Sequence, residues 1–255
     1  MAAFPLMLPG TSRPPKLVVF DLDHTLIACD ATILWTEFLY EKKIVTDPIW
    51  RQYDRDMVKS YAKGVLNIRD FCRKHAGAFR SIPEEKLHAL AQEFAKKKIA
   101  PLIFPDGKKW VKNALQANIP ACVLSASAAF IVKPIAKLFG LTDAMGIELA
   151  FKDGFCTGEI VGIPTFQEGK VERLSERLAE AGIGFEDVLF FTDSRNDLPL
   201  AERAGYTVCV NPDAVLESAA RKNGWKVAEW KLSLRTQMTA QVDAKGVPET
   251  QTVRS

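Results

Sequence analysis

The sequence has no pair of cysteines placed to form a metal knuckle or a redox couple. Its five cysteines, Cys29, Cys72, Cys122, Cys156 and Cys209, are odd in number and far apart. That argues against a disulfide framework or a zinc site and for reduced thiols in a cytoplasm. Long apolar runs are also missing. None reaches the roughly 18 residues needed to span a bilayer. Met1 to Lys16 lacks a positive start, and Pro5 and Pro9 interrupt its short apolar stretch, so no secretion signal is read there. No basic stripe stands out: 34 Lys and Arg are mixed with 31 Asp and Glu, for a net charge of +3. A nucleic-acid binder would show a clustered basic surface. Neither nucleic acid nor membrane is therefore an expected partner. Two phosphate motifs fail as well. Gly169-Lys170 is followed by Val171 and has no Gly at the distance a P-loop requires, and Gly182 and Gly184 precede a strand where a dinucleotide fingerprint must follow one.

What is present is a core-forming chain. Of 255 residues, 47% are apolar, enough for one large domain or a domain with an insertion. Residues 16–20 (KLVVF) are a continuous run rich in β-branched side chains, as a buried parallel strand requires. Comparable runs are Ala121–Leu124, Val188–Phe191 and Tyr206–Val210, and helical patterns follow the first three strands, directly or after an insertion. Strands alternating with helices predict an α/β fold, a Rossmann-like parallel sheet covered on both faces.

Between Cys29 and about Phe104 the pattern is helical throughout. Ile33, Leu34 and Phe38 form an apolar face. Asp47-Pro48 reads as an N-cap followed by Pro at the first helical position, before Trp50, Tyr53, Met57 and Tyr61 at helical spacing. Ile68, Phe71, Cys72, His75 and Phe79 repeat the period, and a fourth helix starts near Pro83. The expected organisation is an α/β core of residues 16–28 and 105–230, with an inserted all-helical cap over 29–104. Residues 145–162 read as a hairpin turning at Asp153-Gly154. Residues 1–15 and 231–255 are expected to be flexible termini.

The residues that could carry chemistry sit at strand ends. Asp21 and Asp23 follow the KLVVF strand, where ligands bind in open α/β sheets. An isolated D-x-D is more often a polar strand-end turn. Ser125 ends the ACVL strand, with Ser127 a fallback, and alone each is a turn or cap residue. Lys170 lies at the start of a helix, where a cation opposes the macrodipole unless an anion is bound. Asp193 and Asp197 follow the VLFF strand. Asp197 alone reads as an N-terminal helix charge. Together with Asp21 and Asp23 it crowds carboxylates at one sheet edge, an arrangement that a hard divalent ion such as Mg²⁺ would relieve.

In order, D-x-D-x-T, a strand-end Ser, a Lys and a strand-end D-x-x-x-D resemble the haloacid dehalogenase superfamily, over about residues 16–230. The helical insertion, the flap-like hairpin and the string DSRNDLPL are similar to the branch with phosphoserine phosphatase and a group of histidinol-phosphate phosphatases. The resemblance implies Asp21 as a nucleophile forming an aspartyl-phosphate. It implies Asp23 as acid and then base, and Mg²⁺ held by Asp21, Asp193 and the Asp23 carbonyl, with Asp197 assisting. It implies Ser125, Lys170 and Asn196 as phosphate ligands. Two positions depart from the pattern: His24, where a smaller or amide residue is usual, and Thr192, where Gly is common.

The implied activity is a cytoplasmic phosphatase acting on a small-molecule phosphate monoester. Asp30, nine residues after Asp21, stands where phosphoserine phosphatases contact the substrate amine, and it is equally an ordinary N-cap. An amine-bearing substrate such as histidinol phosphate is expected ahead of phosphoserine. Other small-metabolite or lipid phosphatases of the superfamily, and a non-enzymatic phospho-acceptor signalling module, remain as alternatives.

Overall fold

A computed structural model describes residues 13–232 of the chain. Strand β1 (Leu17–Phe20) is buried along its whole length. It pairs in parallel with β2 (Ala121–Ala128) on one side and β6 (Val188–Thr192) on the other. The six-stranded sheet is parallel throughout, in the order β3-β2-β1-β6-β7-β8. Strand order reverses at β1, so a crevice opens beyond its carboxyl end. The remaining sheet strands are β3 (Ala144–Ile147), β7 (Tyr206–Val210) and β8 (Lys226–Ala228).

Five helices separate β1 from β2: α1 (Ala31–Glu41), α2 (Ile49–Ala62), α3 (Ile68–His75), α4 (Glu84–Phe94) and α5 (Pro105–Gln116). Asp30 caps α1, its side chain accepting from Ile33 N–H at 3.0 Å. At α2 the start differs by one residue from expectation. Pro48 itself is the N-cap, and the Asp47 side chain accepts from Ile49 N–H at 3.0 Å. The later helices are α6 (Ala129–Ala136), α7 (Glu168–Ala181), α8 (Leu198–Ala201) and α9 (Ala214–Asn223).

Two readings need correction. Strand β2 runs four residues past Leu124, so Ser125 lies within it. The hairpin is confined to β4 (Leu149–Lys152) and β5 (Phe155–Ile160). Residues 145–147, expected in that hairpin, belong instead to the strand that forms the sheet edge on β2. The expected flexible termini fall almost wholly outside the described residues.

One continuous apolar core joins the sheet to the helical insertion. Val18, Phe20 and Phe191 share it with Trp35, Phe38, Leu87 and Phe94. The Trp35 ring packs edge-on against Phe94 at 5.4 Å and Phe130 at 5.6 Å, fastening α1 and α4 to α6. Full burial of each such side chain is worth about 1.5–3 kcal/mol. A second cluster on the opposite face packs Leu17, Val19 and Phe190 against Val171, Leu174 and Leu178 of α7. Gly169 allows the close entry into α7: a Cβ there would meet the Pro164 carbonyl oxygen at 1.9 Å.

Candidate active site

Adjacent parallel strands bring the two acidic motifs side by side. Phe20 is in register with Phe191, and Asp21 N–H donates to the Phe191 carbonyl at 2.9 Å. Asp21 and Asp193 therefore leave neighbouring strand tips together. Thr25, in the turn after β1, donates its hydroxyl to Asp193 Oδ1 at 3.3 Å. The turn passes through His24 in the left-handed region, at φ 56°. Asn and Gly favour that conformation, which explains why an amide or small residue is more usual there.

The Asp23 carboxylate turns away from Asp21. Its Oδ1 accepts from Ala31 N–H at 2.7 Å, and its Oδ2 from Ser127 Oγ at 2.8 Å and Ser125 Oγ at 3.3 Å. Burial and the charge of Asp30 push its pKa up to about 6, against the pull of the Ala31 and Ser127 hydrogen bonds. A carboxyl poised there exchanges protons readily near neutral pH.

Lys170, 1% exposed, reaches from the first turn of α7 into the strand tips. Its Nζ lies 2.7 Å from Asp21 Oδ1 and 2.7 Å from Asp197 Oδ1. Burial opposes its charge, but Asp197 and Asp21 outweigh that and hold its pKa above the ordinary value. Thr192 donates its hydroxyl to Asp197 Oδ2 at 2.7 Å, a bond that Gly at this position could not make. Burial pushes Asp21 up to about 7, with Asp197 and Asp23 adding to it and Lys170 opposing. Asp193 is raised well above the carboxylate range by burial, Asp21 and Asp197.

These groups face a cavity of about 190 Å³ beneath α2 and α3. Asp21, Asp23, Asp193 and Ser127 line its floor, and Met57, Val58, Tyr61, Ile68 and Phe71 its roof. Asp30 lines it while also capping α1, and burial raises its pKa. Ser125 is fully buried behind Ser127. Asn196 is not among the lining residues. Its amide donates to the Tyr61 carbonyl at 3.0 Å and accepts from Gln167 Nε2 at 3.1 Å. Gln167, at φ 49°, also donates to the Gly64 carbonyl at 3.2 Å, tying the end of α2 to the start of α7. Sequence reasoning missed Thr32, Tyr61 and Gln167. Each is one polar residue in a segment without a motif, and only the hydroxyl-bearing S-x-S at 125–127 carried a signal for Ser127.

The haloacid dehalogenase-like hydrolase family matches residues 18–202. The chain belongs to this family. A histidinol-phosphatase of Neisseria meningitidis is 35% identical over 220 residues, covering 85% of this chain and 99% of that protein. A phosphoserine phosphatase of Mycobacterium tuberculosis is 27% identical over 239 residues, with 90% and 77% covered. Among solved structures, a Bordetella pertussis protein of unknown function superposes with a TM-score of 0.75 at 32% identity, covering 83% of this chain and 96% of that one. A substrate-bound phosphoserine phosphatase shares the fold, with a TM-score of 0.64 at 21% identity and 90% and 99% covered. This haloacid dehalogenase-like hydrolase is a phosphatase acting on phosphoric monoesters. No helix among its described residues is long and apolar enough to cross a membrane.

A hard cation fits the donor set. Asp21 and Asp197, both buried, share one ammonium, that of Lys170, with half-buried Asp193 beside them, and burial, with the neighbouring carboxylates adding to it, raises Asp21 and Asp193. Among the described residues no three His, Cys, Asp or Glu side chains converge as a ready cage. Lys170 draws Asp197 aside, and Asp23 is turned toward Ser127. Two carboxylates, a main-chain carbonyl and water suit Mg²⁺, which binds few protein ligands and retains waters.

Proposed function

We propose that this phosphatase hydrolyses a small, amine-bearing phosphate monoester, histidinol phosphate ahead of phosphoserine, through an aspartyl-phosphate on Asp21. The observation that carries the substrate choice is the cavity lining. Apart from His24 and the hydroxyl-bearing Thr32, Tyr61 and Ser127 it is apolar or acidic, Asp30 included, and it holds no Lys or Arg. An ammonium or imidazolium head beside Asp30 is favoured there, whereas the carboxylate of phosphoserine would meet acidic side chains and no cation. The 35% identity to a histidinol-phosphatase supports the same choice.

Asp21 and Asp193, with the main-chain carbonyl of Asp23, would hold Mg²⁺. When bound, the ion supplies positive charge to the phosphoryl oxygens. Lys170 neutralises Asp21 and binds a non-bridging oxygen, with Ser125 or Ser127 and their strand-end backbone assisting. The Asp21 carboxylate forms a bond to phosphorus as the ester P–O bond breaks, and Asp23 passes its proton to the leaving alcohol. Asp23, now ionised, takes a proton from water as that water attacks phosphorus. The Asp21–phosphorus bond then breaks, releasing phosphate and restoring both carboxyl groups. The roof over the cavity limits water during the first step.

The test is phosphate release from a panel of amino-alcohol, amino-acid, sugar and nucleotide monophosphates with Mg²⁺. Histidinol phosphate is expected to lead. Asp30→Ala should raise its KM far more than that of an aryl phosphate. A preference for sugar phosphates or nucleotides refutes the reading.

A further inference from the structure

Asp23 is held by a short polar chain that crosses from the strand tips into the helical insertion. Ser127 Oγ donates to Asp23 Oδ2 at 2.8 Å, so its remaining lone pairs face Thr32 Oγ1 at 3.1 Å. Thr32 is in the first turn of α1, and Ser127 is near the end of β2, 95 residues away in sequence. Both hydroxyls are buried, at 9% and 5% exposure, and both residues line the cavity. The next residue on the chain side, Ala31, supplies the second bond, its N–H donating to Asp23 Oδ1. One turn further along α1, Thr36 Oγ1 lies 3.0 Å from His75 Nε2, which pins the same helix face to α3.

We infer that Ser127 and Thr32 are positioning residues for the acid and base Asp23. The Thr32 hydroxyl orients the Ser127 hydroxyl, which in turn holds Asp23 Oδ2 so that the carboxyl presents its proton to the leaving oxygen. The inference rests on the proposed role of Asp23. Three physical points support it. A free serine hydroxyl rotates among staggered positions, whereas one that accepts from Thr32 has its proton directed at the carboxylate. Two buried hydroxyls in series strengthen each other. Finally, Ser127 and Thr32 come from separate elements, so the bond forms only when α1 is seated on the sheet. The packing of α1 on the sheet thereby sets the orientation of the proton donor.

The experiment is single-turnover hydrolysis, enzyme in excess and Mg²⁺ present, of two substrates. Histidinol phosphate leaves as an alkoxide that needs a proton, whereas p-nitrophenyl phosphate leaves as a stable phenolate that does not. Thr32→Val, which is isosteric, is expected to slow release of histidinol by about tenfold to a hundredfold, part of the general-acid contribution. Release of p-nitrophenolate in the first turnover should stay near wild type. Thr32→Ser, which restores the hydroxyl, should recover most of the loss. The Mg²⁺-induced shift in melting temperature reports that the variants are folded and keep the site. Equal slowing of both substrates, or Thr32→Ser as slow as Thr32→Val, overturns the positioning role. If wild type hydrolyses both substrates and the variants keep its ratio, this inference alone fails. If wild type cleaves neither, the proposed reaction fails with it.

Discussion

Lys170 Nζ sits 2.7 Å from Asp197 Oδ1 and 2.7 Å from Asp21 Oδ1, so one buried ammonium is shared by two carboxylates. Asp197 thus aims the lysine, and Thr192 aims Asp197. Removing the carboxylate charge with Asp197→Asn should leave Lys170 paired to Asp21 alone. Turnover is expected to fall by about tenfold to a hundredfold as the ammonium drifts from the phosphoryl position. Lys170→Met should be worse for stability. It strands two buried carboxylates and should cost about 3–5 kcal/mol without metal. Urea melts with and without Mg²⁺ measure both, and Mg²⁺ should recover part of the Lys170→Met loss.

Asp21→Asn should abolish turnover while leaving the far-ultraviolet circular dichroism unchanged. Asp21 follows the tip of β1 and lines the cavity, its carboxylate held by Lys170. Acid-quenched wild type should carry phosphate in an acyl-phosphate linkage, and the variant none. More than trace activity in the variant, with Mg²⁺ present, rejects the nucleophile.

Mg²⁺ should raise the melting temperature more at pH 8 than at pH 5. Asp21 is raised to about 7 and Asp193 well above the ordinary carboxylate range, both by burial, so at low pH both stay protonated in the metal-free fold. The ion must displace those protons, and its apparent affinity rises with pH as they leave. Asp193→Asn should remove most of the shift. Differential scanning fluorimetry across pH and metal concentration tests this, and a shift that ignores pH rejects it.

The helical insertion should not move as one lid. Trp35, Phe94 and Phe130 bind α1 and α4 into the main core. The cavity roof comes from α2 and α3, through Met57, Val58, Tyr61, Ile68 and Phe71. Hydrogen exchange with a phosphate analogue and Mg²⁺ should show protection gained across residues 49–75 and little change in α1 or α4. Equal protection over the whole insertion would favour a rigid lid.

Asp54 lies 4% exposed between α1, α2 and α3, and both its oxygens lack a hydrogen bond. His75 Nε2 is 3.6 Å away. Burial pushes Asp54 up to about 7, opposed by the Thr36 side chain and more weakly by Arg55, with Asp30 and Glu37 adding to the rise. Burial also lowers His75 to about 4. Between those values the pair is a neutral acid beside a neutral imidazole. A carboxyl whose folded pKa lies above its unfolded value destabilises as it ionises. That cost is absent below about pH 4, grows as pH rises, and is full above about 7. Asp54→Asn should therefore raise the melting temperature at pH 8, by a stability gain on the order of a few kcal/mol, and change little at pH 4. Thermal melts of both proteins across pH test this. A constant offset would reject Asp54 as the titrating group.

The sequence by itself determined the parallel sheet and which residues leave the carboxyl ends of β1 and β6. Apolar β-branched runs define buried strands locally, and whatever follows a parallel strand must lie at the ligand-binding edge. It did not reveal β3 or β8. AMGI and KVA are short, and partners from elsewhere in the sheet give them their identity. Nor could it choose between Ser125 and Ser127, since a strand's period of two puts both on one face and the choice depends on how far β2 runs and what covers it. The destination of Asn196, held by Tyr61 and Gln167, was likewise a tertiary matter. So was the contact of Thr32 with Ser127, which spans 95 residues. Hydrogen bonds between distant segments leave no period and no spacing in the chain, because nothing local selects their partners until the apolar core has seated α1 against the sheet.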